Sequence, residues 1–332
     1  MLTPPDGLGE NAVAAVLGRE WQLTVASMNY RPVGFGSYHW AVTEPGGARW
    51  FVSADDLATK SLSAGEPLDA AFARLRCALG AAAGLRAAGL DCVVAPVPTA
   101  AGEPLARAGQ EFAVALYPFL DGTSFEWGAF DDPGHRGAML DMVVAVHTAP
   151  AAVRRRALAD DFTVPHLDEL EVALGRAADQ VPDHGPYARP AASLLSASAG
   201  PVRRLLGRYR DLVARAGSQA GRAVLTHGEP HPGNTMLTAA GWRLIDWDMA
   251  LVALPERDLW SLDPGDGSVY AAYADATGVR PSAEALDLFR LRWDLSDLAL
   301  DARRFRRPHS GTDDDEKTWQ VLRALLTRIS AG

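Results

Sequence analysis

The sequence predicts an α+β chain: a small antiparallel sheet carrying one helix, followed by a larger, mainly helical part. Three observations lead there. Strand-like runs cluster before residue 120, an alanine-rich helical stretch interrupts them, and helical periodicity dominates most of the remaining chain. At 332 residues the chain is long enough for two modest lobes with separate cores.

A short helix is expected near Gly9–Gly18, and the run Trp21–Tyr30 reads as a strand. The glycine turn Gly34-Phe35-Gly36-Ser37 leads into a strand at Tyr38–Val42. The tight turn Glu44-Pro45-Gly46-Gly47 then leads into another at Arg49–Ser53. Residues 67–89 are alanine-rich with apolar residues at helical spacing, so a helix is expected. Strands at Val93–Val97 and Phe112–Leu116 come next, and the second ends in Tyr117-Pro118-Phe119-Leu120-Asp121-Gly122. Residues 137–150 have helical periodicity, with His147 read as a packed structural histidine. From Ala151 to about Arg222 the chain is Ala/Arg/Leu-rich and helical, with a loop at 181–190 and no visible chemistry. Arg154-Arg155-Arg156 reads as solvated surface.

A net charge of −9, with no basic stripe, argues against a nucleic-acid partner and suits a cationic ligand better. Cys77 and Cys92, in no metal or redox spacing, read as buried reduced thiols and fit a cytoplasmic protein. The first residues show no basic region followed by an apolar core, and the longest apolar runs fall far short of the ~20 residues that span a bilayer. A soluble, cytoplasmic protein without a membrane partner is the expectation.

The informative stretch runs from Thr226 to Asp258. It reads as strand, polar loop, short strand, turn at Ala240-Gly241, and strand Trp242–Ile245. His227, Glu229, His231, Asn234, Asp246 and Asp248 crowd into it. A hairpin brings the loop before its first strand beside the residues just after its second, so Asn234 and Asp246 should face each other. An amide and a carboxylate, completed by phosphate oxygens and water, suit Mg²⁺. The two histidines raise zinc as an alternative, but amide and carboxylate neighbours without cysteine favour an oxygen-ligand ion. A purely structural hydrogen-bonded loop is the other reading.

His227, Glu229 and Asn234 match the spacing of the kinase catalytic loop. Ile245-Asp246-Trp247-Asp248 resembles the metal-binding aspartate motif of antibiotic phosphotransferases. Glu256-Arg257-Asp258-Leu259 resembles the segment next after it in spectinomycin phosphotransferase. With sheet, hinge and carboxy-terminal helices in matching order, the chain resembles the aminoglycoside phosphotransferase family over nearly its whole length, closest in pattern to the spectinomycin branch.

That resemblance implies a bilobal, protein-kinase-like fold: an N-lobe at 1–117, a hinge at 118–122 and a helical C-lobe at 123–332. It also implies roles. Asn234 and Asp246 would hold Mg²⁺, Glu229 would orient or deprotonate the acceptor hydroxyl, and Gly34, Gly36 and Ser37 would cover the phosphates. Tyr117, Phe119 and Leu120 would hold the adenine of ATP, or the guanine of GTP. Glu256 and Asp258 would brace the loop.

Two positions depart from the family pattern. Glu229 stands where the family has aspartate. Ser53 stands where the strand after the glycine turn ends in the phosphate-binding lysine. Only two lysines exist, Lys60 and Lys317, so Lys60 is the nearby candidate for that work, with Arg31 and Arg49 as further cations. On the segment Phe289–Phe305, Leu291, Leu295 and Leu298 should face a core. Asp294, Asp297 and Asp301 share a second face that could meet an ammonium-bearing acceptor, with Asp248 directed to the same acceptor. The function expected is ATP- and Mg²⁺-dependent O-phosphorylation of a small cationic molecule such as an aminoglycoside or aminocyclitol. Alternatives are a non-catalytic kinase-fold ligand-binding protein, or a kinase of choline, homoserine or a sugar.

Overall fold

A computed structural model describes residues 1–34, 36–176 and 181–331; Phe35, inside the expected glycine turn, lies outside them. The chain divides into two compact units. The first comprises Met1–Ser61, Pro67–Asp160 and Arg222–Pro281, and the second Leu62–Glu66, Asp161–Gly221 and Ser282–Gly332.

The first unit opens with α1 (Glu10–Trp21) and a five-stranded antiparallel sheet. Its strands are β1 (Ser27–Tyr30), β2 (Tyr38–Thr43), β3 (Arg49–Asp56), β4 (Ala106–Ala108) and β5 (Phe112–Pro118), in the order β1-β2-β3-β5-β4. Alternation along β3 sends Val52 and Ala54 into a core with Val13, Leu17, Trp40, Val114 and Leu116. Phe51, Ser53 and Asp55 therefore lie on the other face. α2 (Leu68–Ala87) buries Leu75, Leu79, Leu85 and four of its alanines.

Three boundaries differ from the expected ones. Trp21 closes α1 instead of opening a strand, because Gln22 turns left-handed (φ 57°) and caps the helix onto Leu17 O. β3 continues past Ser53, its pairing with β5 holding to Asp56↔Phe112. Val93–Val97 forms no strand: it makes an isolated bridge, Val93↔Leu244, and a single bond to the sheet from Val97 N–H to Leu116 O at 2.7 Å. Pro96 and Pro98 bring no N–H to a ladder there, and β4 takes the edge instead.

The same unit holds β6 (Gly122–Ser124), β7 (Val224–Thr226), β8 (Thr235–Thr238), β9 (Gly241–Leu244) and β10 (Leu251–Ala253), paired as β6-β8-β9 and β10-β7. Residues 119–121 thus connect one sheet to another. Helix α3 (Pro133–His147) starts at an Asp132 cap that accepts from Gly134 N–H at 2.9 Å, with proline at N1. α4 (Ala151–Arg154), α8 (Glu256–Leu259) and α9 (Ser268–Thr277) complete the unit.

The second unit is helical among the described residues: α5 (Leu167–Ala173), α6 (Ala188–Ala197), α7 (Ala199–Ala216), α10 (Ala283–Phe305) and α11 (Asp313–Ala331). α6 absorbs Ala188–Pro190, so the loop expected at 181–190 is shorter. The 23-residue α10 packs against the other four helices. It buries Leu291, Leu295 and Leu298 as the heptad-like spacing requires. Among the described residues no helix is long and apolar enough to cross a membrane. Cys77 and Cys92 are unpaired and half-buried, less enclosed than expected.

Candidate active site

The polar loop is built by its hydrogen bonds. The β8–β9 register, Thr235↔Leu244, is extended one step by Ile245 N–H donating to Asn234 O at 3.0 Å. Asn234 and Asp246 consequently sit at the same open end of the hairpin. Before the hairpin, the N–H groups of His227 and Gly228 donate to the two oxygens of Asp258, each at 2.7 Å. His147 Nε2 approaches the same carboxylate at 3.1 Å, and its Nδ1 meets Tyr273 Oη at 2.9 Å. The fit is tight. Gly228 has φ 109°, and a Cβ there would stand 2.6 Å from Arg257 Nη2. Arg257 itself donates to Thr226 Oγ1 at 2.8 Å and to Met249 O at 2.9 Å. Asp258 thus braces the loop, while Glu256, near it in sequence, is held by Arg222.

His227 is buried, and its tautomer is set by its partners. Nε2–H donates to Ile245 O at 2.8 Å, and Nδ1 accepts from Glu229 N–H at 3.2 Å. Burial lowers its pKa, in keeping with a neutral ring. Asn234 Nδ2 donates to Glu229 O at 2.9 Å, which leaves Oδ1 as the oxygen that could ligate an ion. The Glu229 side chain is 32% exposed, with Oε2 3.9 Å from His231 Nε2. That distance exceeds a hydrogen bond. Burial, and then His227, lower the His231 pKa to about 4, so no charged pair forms at neutral pH.

A cluster of charge lies at the polar face of β3. Asp55 accepts from Ser37 Oγ at 2.6 Å and stands 3.1 Å from Lys60 Nζ; Lys60 donates to Asp248 Oδ2 at 2.6 Å. A Cβ on Gly36 would lie 3.7 Å from Lys60 Nζ, so the glycine turn adjoins this ammonium. Burial disfavours the charged lysine, but Asp248 and Asp55 outweigh it and hold its pKa well above the usual value. Burial likewise opposes ionisation of Asp248, yet Lys60 keeps its pKa low.

Asp246 is the contrast. Partial desolvation by its neighbours, followed by Asp248, pushes its pKa above the carboxylate range, with Glu229 and Asp55 adding to the effect against Lys60, although the residue itself is exposed at the surface. Its backbone is left-handed (φ 63°), a conformation that costs a non-glycine residue energy and clusters at functional sites.

A cation fits these surroundings. The donors are hard oxygens, and the carboxylates outnumber the one lysine. Among the described residues no three His, Cys, Asp or Glu side chains form a cage, so an ion here would draw further ligands from phosphate and water.

Tyr117 is half-buried on β5, and after burial the strongest influences raising its pKa are Asp55, Asp246 and Asp248. Phe119 lies under the Arg49 guanidinium, 3.7 Å from ring centroid to Cζ, while Arg49 also pairs with Asp121 at 2.9 Å. Leu120 is half-buried. Ser53 sits in register with His39 on β2 and Ala115 on β5, and brings no charge to the cluster. Two participants escaped the sequence reading. Asp55 shares the face of Ser53 by strand alternation, a signal that ending the strand at Ser53 hid. His39 stacks on Phe51 (5.1 Å between centroids), and its pKa is lowered to about 4, first by burial. A cavity of about 340 Å³ lined by Trp21, Glu44, Trp50 and Leu116 opens on the opposite sheet face and contains none of these groups.

In the second unit, the predicted acidic face of α10 is not uniform. Asp294 is buried and held by both guanidinium nitrogens of Arg328, at 2.7 and 2.9 Å. Arg290 and Arg304, on the same helix, pair with Asp287 and Asp315 and not with this face. Burial, then Asp294, raises the Asp297 pKa to about 6; burial, then Asp297, raises that of Asp301 to about 8.

The strand order, glycine turn and braced polar loop suit a kinase-like phosphotransferase, and the comparisons with known proteins agree. The family model of the phosphotransferase enzyme family matches residues 32–289, so the chain belongs to that family. Protein StrN of Streptomyces griseus is 29% identical over 256 residues, covering 73% of this chain and 74% of that protein. Spectinomycin phosphotransferase, solved with ADP and spectinomycin, superposes with a TM-score of 0.70 at 13% identity, covering 98% of this chain and 99% of that one. An aminoglycoside phosphotransferase of Alicyclobacillus acidocaldarius gives a TM-score of 0.53 at 17% identity, covering 99% and 98%. The resemblance read from the motifs is borne out, and the chain is a kinase-type phosphotransferase enzyme.

Proposed function

We propose that this enzyme transfers the terminal phosphoryl group of ATP or GTP, with Mg²⁺, to a hydroxyl of a small cationic molecule of the aminoglycoside or aminocyclitol kind. One observation carries the reading. Asp246, strained and surrounded by negative charge, stands at the open hairpin end with Asn234, beside a lysine and a glycine turn. Asn234 Oδ1 and Asp246 would hold Mg²⁺, which when bound neutralises phosphate charge. Gly34, Gly36 and Ser37 would lie over the phosphates, with Tyr117, Phe119 and Leu120 along the base. Glu229 orients the acceptor hydroxyl and takes its proton as the oxygen bonds to phosphorus and the bond to the nucleoside diphosphate breaks. The hinge is assigned to residues 118–122. Spectinomycin phosphotransferase and an amicoumacin kinase share this fold, which supports a polar, amine-bearing acceptor. With Asp294 committed to Arg328, Asp297 is the α10 carboxylate assigned to the acceptor's cationic group, and Asp301, which keeps its proton at neutral pH, is assigned to it as a neutral hydrogen-bonding group.

Ser53 at the position of the usual phosphate lysine favours a second reading, a non-catalytic ligand-binding protein. Thermal stabilisation by Mg²⁺–nucleotide, followed by a panel of hydroxylated amines, choline, homoserine and sugars with nucleotide consumption as readout, separates them. Consumption that depends on an amino-sugar acceptor supports the proposal. Nucleotide binding without turnover on any acceptor selects the second reading.

A further inference from the structure

We propose that Lys60 contacts the nucleotide's phosphates in this chain, delivered from the segment after β3 instead of from the strand itself, with Asp55 as its anchor. This rests on the nucleotide-dependent reading above. Strand β3 offers Ser53, which has no charge to give. The ammonium of Lys60 nevertheless stands at the glycine turn, 3.7 Å from where a Gly36 Cβ would be. Its backbone is fixed too: Lys60 O accepts from Arg74 Nη2 at 2.9 Å.

Two carboxylates position Nζ. Asp55 is 4% exposed and tied to Ser37 Oγ at 2.6 Å, so its oxygen 3.1 Å from Nζ is held by both the strand and the turn. Asp248 takes a second contact at 2.6 Å. A lysine ammonium has three N–H donors, so at least one remains for a phosphate oxygen. Two of the other cations are otherwise placed. Arg49 is engaged by Asp121 and Phe119. Lys317 is exposed on α11 of the second unit. An anchored lysine also explains why two acidic residues surround the one lysine of this unit: they orient the charge without removing it.

The test compares ligands that differ only in phosphate. Titration calorimetry with Mg²⁺ measures ATP, ADP and adenosine, and their guanine counterparts, on the wild type and on Lys60→Met. The proposal expects ATP and ADP to weaken by about tenfold or more, as for a lost charge-assisted contact, with the nucleoside changed by less than about twofold. Unchanged ATP affinity overturns it, and so does an equal loss for adenosine, which would mark Lys60 as pocket structure only. Asp55→Asn should reproduce the phosphate-selective loss in weaker form; an equal loss for adenosine removes Asp55 from the proposal.

Should Lys60→Met fail to fold, the wild type still decides. With only two lysines, acylation by an N-hydroxysuccinimide ester followed by mass spectrometry reads Lys60 against Lys317 in one sample. Mg²⁺–ATP should slow modification at Lys60 relative to Lys317, and adenosine should not; equal protection by both, or none by either, overturns the assignment. A wild type that binds no nucleotide fails the functional reading itself, a result distinct from a wild type that binds ATP independently of Lys60.

Discussion

The backbone N–H of His227 donates to Asp258 Oδ2 at 2.7 Å across 31 residues of chain, and the adjacent N–H of Gly228 takes the other oxygen. One buried carboxylate thereby fixes two consecutive peptide groups just ahead of Glu229. Burial works against ionising Asp258, but His147 and Arg257 hold its pKa below the usual value, so it accepts these bonds as an anion. Asp258→Ala would leave both N–H groups and His147 without their acceptor. We expect a loss of about 3 kcal/mol in urea unfolding. A change below about 0.5 kcal/mol would show that the loop does not depend on this brace.

Asp246 gives the second prediction. Asp246→Asn should fold normally, because the amide is nearly isosteric and carries no charge into a crowded acidic cluster. Mg²⁺-dependent nucleotide binding should fall about tenfold or more, since the anionic ligand is gone. Calorimetry with and without Mg²⁺ reads it directly. Equal binding in both proteins removes Asp246 from the ion site.

For Glu229 the expected signature is kinetic. Glu229→Gln should lower kcat by roughly 10²-fold or more with little change in nucleotide KM, as for a lost base or orienting group. Full speed in that variant rules out the role. Glu229→Asp reads the geometry: a rate near wild type means the site tolerates either reach, and near-complete loss means it is built for glutamate.

Asp301 makes a prediction about pH. Its folded pKa of about 8 lies above the ordinary 3.8, so the folded state holds a proton that the unfolded chain gives up. Its stabilising contribution is complete below about pH 4 and is lost as pH rises towards 8. Asp301→Asn should flatten that slope, with a gain at pH 8 exceeding the gain at pH 5 by on the order of 2 kcal/mol. Parallel pH–stability curves for wild type and variant would contradict the assignment.

Asp297→Asn carries the acceptor assignment. It should raise KM for a cationic acceptor several-fold while leaving nucleotide KM alone. Asp294→Asn, by contrast, should act on stability through its Arg328 pair. If KM for the acceptor moves only in the Asp294 variant, the roles given to these two residues are wrong.

The motif residues from His227 to Asp258 were legible because their spacing is local and chemical. A hairpin and a short loop need only consecutive sequence to be foreseen. The helical face of α10 was legible for the same reason, since Leu291, Leu295 and Leu298 repeat at helical spacing. The features that were not legible depend on partners distant in sequence. Lys60 and Asp248 meet across 188 residues, and although alternation along β3 puts Asp55 on the face of Ser53, nothing local says that these two partners meet it there. The Asp294–Arg328 pair spans 34 residues between two helices, which helical periodicity in one of them cannot anticipate. Val93–Val97 differs for another reason: its apolar character suggests a strand, but the prolines at 96 and 98 decide its structure in the chain.

Gly228 has a geometric consequence for the acceptor. A Cβ on it would meet the Arg257 guanidinium, and its N–H is tied to Asp258, so the main chain just ahead of Glu229 is held in place. The additional methylene of glutamate over aspartate must then project forward, lengthening the arm by about 1.5 Å, one carbon–carbon bond. In the role proposed for Glu229, an acceptor hydroxyl would be met further from the peptide plane than in an enzyme with the shorter acid.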